Sequence, residues 1–71
     1  MQKYRLRVDF DNDNDGLILL NQCEKLTHSF KCSEYSIEWI ENEDGGYLVL
    51  ITSDPSDAFI CLFSIPGAYA I

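Results

Sequence analysis

Positive charge, histidine and paired cysteines are all scarce in this 71-residue chain, and each scarcity removes a class of function. Five Lys and Arg stand against twelve Asp and Glu, a net charge of −7. Such a chain repels nucleic acid and anionic membrane, so direct binding to either is not expected. Cations and basic protein surfaces remain as partners. The single histidine, His28, falls on the polar side of a predicted helix, with no serine or cysteine placed by motif to act as its nucleophile. There is no P-loop, no G-x-G-x-x-G and no Cys/His zinc spacing. Glu34 and Glu38 on a strand would lie ~13 Å apart, too far for a glycosidase pair. The chain is therefore expected to be non-enzymatic.

The three cysteines are odd in number and lack C-x-x-C spacing, which does not match a secreted disulfide framework. Cys23 and Cys61 sit within apolar patterns and are expected in the core, whereas Cys32 beside Lys31 reads as a boundary thiol. Residues 1–10 alternate charged and apolar side chains and do not read as a signal peptide. No apolar run approaches the ~20 residues of a membrane span. A reducing cytoplasm is the expected setting.

What the chain does have is apolar content. Hydrophobic residues make up 46% and aromatics 13%, enough to argue for a packed core and against disorder. The length suits a single domain, residues 1–71, although one this small buries only ~60% of the surface its unfolded chain exposes. A surplus of apolar side chains would suit a partner surface or a homodimer.

Hydrophobic periodicity divides the chain. Residues 3–10 alternate, with Tyr4, Leu6, Val8 and Phe10 on one face and Lys3, Arg5, Arg7 and Asp9 on the other, as in a half-buried strand. Across 16–30, Leu19, Leu20, Cys23, Leu26, Thr27 and Phe30 form one stripe of an amphipathic helix. Residues 33–41 alternate again, with Tyr35, Ile37 and Trp39 expected to pack under that helix. Residues 41–46 read as a turn, with Asp44-Gly45 as the hairpin dipeptide, and Tyr47–Ile51 as a central strand apolar on both faces. The segment 54–65 is ambiguous. Asp54-Pro55-Ser56-Asp57 starts a helix well, but the apolar run 58–63 fits a buried strand too. The helix is preferred. Residues 68–71 read as an edge strand.

The predicted class is α+β, a two-layer sandwich with a four-stranded antiparallel sheet and one or two helices on one face. The preferred order is the ferredoxin-like β-α-β-β-α-β, with β-α-β-β-β as the alternative. Many functions share that architecture, so it names none. Lys3, Arg5 and Arg7 are expected to neutralise acids across the sheet, and Leu48 and Leu50 beside them would suit a dimer contact.

Asp11-Asn12-Asp13-Asn14-Asp15-Gly16 opens like a calcium loop of the D-x-[DN]-x-[DN]-G type. Asp11, Asp13 and Asp15 would turn inward together, and Gly16 would permit the bend. The twelfth position, which supplies a bidentate Glu in such loops, is Gln22. The competing reading is an acidic turn in which Asp13, Asn14 or Asp15 caps the following helix. Ca2+ at this loop is the only cofactor the sequence suggests.

Acids also recur at Glu34 and Glu38 on the second strand and at Glu41, Glu43 and Asp44 on the hairpin. Same-face strand residues repeat every ~6.6–6.8 Å, which resembles the charge spacing along a nucleic-acid backbone. These five are the expected contact residues for a basic, nucleic-acid-binding or nuclease-type partner, with Asp11, Asp13 and Asp15 second. In size, charge and lack of catalytic motifs the chain resembles immunity proteins, antitoxins and phage counter-defence proteins. An oligomeric structural or accessory role is the remaining alternative.

Overall fold

A computed structural model describes residues 3–71. The order is β1 (Tyr4–Phe10), α1 (Asp13–Thr27), β2 (Tyr35–Asn42), β3 (Gly45–Thr52), α2 (Pro55–Ser64) and β4 (Tyr69–Ala70). The sheet runs β2-β3-β1-β4 with all pairings antiparallel. This is the ferredoxin-like arrangement of two split β-α-β units, with both helices packed against one face of the sheet.

β1 forms as its alternation requires, with Leu6, Val8 and Phe10 buried towards the helices. β3 lies between β2 and β1, and its near-continuous apolar run is buried accordingly. Leu48 and Leu50 belong to the core, so they are not the dimer face expected beside Arg5 and Arg7. The cross-strand partners of those arginines are Ile51 and Val49. A period of two fixes this, since residues of opposite parity face opposite sides. Nor does Arg7 reach across the sheet to an acid. It pairs with Asp9 two residues on along its own strand, at 2.9 Å, and stacks on Tyr47 with its guanidinium carbon 3.7 Å from the ring centroid.

The helix expected from residue 16 begins earlier, at Asp13. Its cap is Asn12, not Asp13, Asn14 or Asp15. The backbone N–H of Asp15 donates to Asn12 Oδ1 at 2.9 Å, and Asn12 Nδ2 donates back to Asp15 Oδ2 at 3.1 Å. This reciprocal pair is a variant of the capping box, and Asp13 and Asp15 gain further from the positive end of the helix dipole. Gly16 is helical and buried, and it is not a loop bend. A Cβ there would stand 2.5 Å from Trp39 Cη2 and 3.0 Å from the Phe10 ring. The glycine lets the Phe10–Trp39 pair, with centroids 4.7 Å apart, press against the helix start. Trp39 and Ile37 are half-buried as expected, but Tyr35 is exposed and packs edge-on to Phe30, which lies beyond the end of α1.

The segment 54–65 resolves as a helix. Asp54 caps it by accepting from the Ser56 N–H at 2.9 Å, and Pro55 occupies the first turn. Its all-round apolar pattern has a simple cause. Ala58, Cys61 and Ile65 face the core, while Phe59 and Phe63 stack on each other in solvent, 65% and 84% exposed. Asp57 does not close a capping box. It is fully buried, and its two carboxylate oxygens accept the backbone N–H groups of Lys31 (2.9 Å) and Cys32 (3.1 Å). A buried carboxylate is tolerable only when hydrogen-bonded in this way.

Cys23 and Cys61 are buried between the layers, and Cys32 is partly accessible. Burial pushes the Cys61 thiol up from 9.0 to about 12, with smaller contributions from Cys23 and Asp57, and also raises Cys23. With thiol reagent at pH 8, one thiol per chain, Cys32, is expected to react in the native protein and three after denaturation. The folded state holds the Cys61 proton more tightly than the unfolded chain does. Its stabilising effect is therefore complete below pH 9 and is lost as pH rises towards 12.

Candidate acidic interaction site

The predicted carboxylates do not share one surface. Parity separates them first. Glu38 lies with Ser36 and Ile40 on the open face of β2, whereas Glu41 lies with Trp39 on the helix side and accepts its indole N–H at 3.0 Å. Length separates them next. Glu34 precedes β2 and lines a cavity with Lys3, Tyr35 and Thr52, while Glu43 and Asp44 form the loop at the other end. Nine residues of strand at ~3.3 Å each put ~30 Å between Glu34 and Glu43. The set Glu34, Glu38, Glu41, Glu43, Asp44 is thus two groups.

The hairpin itself is tighter than a six-residue turn. Asn42 pairs with Gly45, leaving a loop of Glu43 and Asp44. Neither has positive φ, so the loop is not the mirror-image turn that Asp-Gly makes when both occupy its centre. Asn42 Oδ1 accepts the Asp44 N–H at 3.2 Å, and Gly45 takes up the chain reversal with φ 130°. At φ 130° Gly45 lies close against the backbone of Phe10 and Asp11.

That contact assembles what the sequence keeps apart. Asp9, Phe10 and Asp11 form a ridge with an open groove on each side. One groove, about 490 Å³, is completed by Asn42, Glu43, Asp44 and Gly46. The other, about 290 Å³, is completed by Asp15, Ile18 and Leu19. Five carboxylates from two segments some thirty residues apart in sequence therefore share one pole of the molecule, and among the described residues no basic side chain lines either groove. Asp9 is the anchored member. Its Oδ1 accepts from Arg7 Nε at 3.0 Å and its Oδ2 from the Tyr69 hydroxyl at 3.0 Å. The hydrogen bond to Asp9 raises the Arg7 pKa, and desolvation followed by the same carboxylate raises that of Tyr69. Among the described residues, Arg7–Asp9 is the only ion pair. Lys3 and Arg5 lie at the start of β1, and Lys25 and Lys31 lie at the end of α1 and beyond it. The antiparallel run of α1 over the sheet sets all four away from the acidic pole.

The calcium loop is not formed. Helix α1 takes in Asp13 and Asp15, and at 3.6 residues per turn those side chains diverge by ~160°. Asp13 lines neither groove. Among the described residues, no group of three His, Cys, Asp or Glu side chains is placed to hold a metal ion. His28 is exposed at the C-cap of α1. Among the described residues, no helix is long and apolar enough to cross a membrane.

Comparison with known proteins finds no family model, no curated protein and no solved structure that matches the chain.

Proposed function

We propose that this chain is a small, non-catalytic interaction protein of the cytoplasm that neutralises a basic, nucleic-acid-handling partner by placing its acidic pole in the partner's positive groove. Immunity proteins, antitoxins and phage counter-defence proteins work by the same physical logic. The observation that carries the proposal is the convergence of Asp11, Asp15, Glu43 and Asp44, with the Arg7-paired Asp9 between them, on two adjoining grooves that no described basic side chain lines. A groove shaped for phosphates meets fixed negative charge there, and complementary potential speeds encounter and selects the partner. The exposed Ile18 beside Asp15 adds an apolar contact that a simple polyanion lacks.

The test is affinity capture from lysate of the source cell, followed by washing with salt or competing DNA. Expected is one basic protein that either wash releases. The variant Asp11→Asn, Asp15→Asn, Glu43→Gln, Asp44→Asn removes four exposed charges. At roughly 0.5–1 kcal/mol each it should weaken binding by about one to three orders of magnitude. Glu34→Gln with Glu38→Gln should cost less. A partner held equally well at high salt, or by the four-site variant, would overturn the proposal.

A further inference from the structure

We infer that β2 is an edge built to be extended, and that a cationic extended segment of the partner adds to it as a fifth strand. The inference takes the partner's positive charge from the function proposed above and rests otherwise on the sheet. Among the described residues β2 is the terminal strand and pairs with β3 alone, eight residues in continuous register from Tyr35↔Thr52 to Asn42↔Gly45 without a bulge. An edge of this kind presents a row of unpaired backbone donors and acceptors. Proteins blunt such edges with short strands, proline, bulges or charged side chains, lysine above all. The other edge, β4, has only two residues and follows that rule. β2 is long and unbulged, and the one such device it carries is acidic charge, at Glu38 and Glu41. Tyr35–Asn42 contains no proline, no lysine and no arginine.

What β2 carries instead is charge of one sign. Glu38 and Glu41 lie on it, Glu34 just before it, and Glu43 and Asp44 just after. A second copy pairing antiparallel along this edge would bring these carboxylates against each other, and like charges across a strand pair repel. A strand bearing Lys or Arg meets the opposite situation. Glu34 and Glu38 are spaced by two strand repeats, ~13 Å, with the small Ser36 between them. A basic residue at every fourth position of the added strand would match them. Trp39 is fixed by its bond to Glu41 and by Phe10. The strand runs directly into Glu43 and Asp44, so an added strand would end at the acidic pole. Main-chain hydrogen bonds would then supply affinity and the carboxylates selection.

The experiment uses the full chain and a capped ten-residue peptide alternating lysine and valine, with amide chemical shifts and hydrogen exchange as readouts. Expected are shifts and slowed exchange concentrated at residues 35–42. Glu38→Lys, an exposed substitution, should weaken binding about tenfold or more. A peptide with N-methylated alternate amides keeps the charge but loses edge pairing, and it should leave the exchange of β2 unchanged. If both peptides act alike and perturb only Asp11, Asp15, Glu43 and Asp44, charge at the pole suffices. The edge proposal then fails while the acidic-pole reading stands. Absence of any perturbation at residues 35–42 also overturns it, whatever the lysate capture shows.

Discussion

Replacing Asp57 with alanine is expected to destabilise the protein by about 3–4 kcal/mol, because two backbone N–H groups lose a charged acceptor inside the fold. A domain of this size has only about 4–11 kcal/mol in total. The midpoint of thermal unfolding should fall by roughly 12–32 °C. The cause is specific. Asp57 is fully buried, and its oxygens tie Lys31 and Cys32 across 26 and 25 residues of sequence. Without them the loop from α1 to β2 loses its anchor, and water must enter or the N–H groups stay unpaired. Asp57→Asn retains one good acceptor and should cost about half as much. Urea denaturation followed by circular dichroism measures both. A change under 1 kcal/mol in the alanine variant would show that the loop is held by something else.

Gly45→Ala is expected to cost about 3 kcal/mol and to disturb the acidic pole as well. Its φ of 130° lies where L side chains rarely go, a strain of roughly 1–3 kcal/mol. A Cβ would also overlap the carbonyl oxygen of Phe10. Gly67→Ala is the matched control. It too has positive φ, 82°, but none of the described residues lies within 4 Å of its Cβ position, so the cost should stay near 1 kcal/mol. The difference isolates the close approach of the hairpin to β1. Because that approach puts Glu43 and Asp44 beside Asp11, Gly45→Ala should also weaken partner binding at conditions where the variant is still folded. Equal costs at Gly45 and Gly67 would count against the packing described for the hairpin.

The two-layer fold was legible because it is written in periodicity. β1 alternates cleanly, β3 is apolar on both faces, and Asp54-Pro55 marks a helix start whatever follows it. Ambiguity arose where apolar residues stayed in solvent, as Phe59 and Phe63 do on α2. The acidic run misled for a local reason. Asn12 competes for the cap, so the helix draws in carboxylates that a loop would have gathered. Gly16 looked like a bend because its real constraint, the ring of Trp39, lies 23 residues away. The candidate site was half legible. Each acidic residue was visible, but their grouping depended on strand parity and on the hairpin docking against β1. Asp57 fits the helix-start pattern, but its buried role left no mark in the sequence, since its partners are backbone groups rather than side chains.

Lys3 and Ile71 line one cavity with Ala58 and Leu62, and the Ile71 N–H donates to the Arg5 carbonyl at 3.0 Å. The pairing of β4 with β1 thus joins the two strands most distant in sequence. A chain joined by a short linker from Ile71 to residue 3, and opened at the exposed Pro66-Gly67, would turn that pairing into a hairpin. Its mean sequence separation between contacting residues would drop, and the permuted protein should fold faster than the natural order while keeping its acidic pole intact.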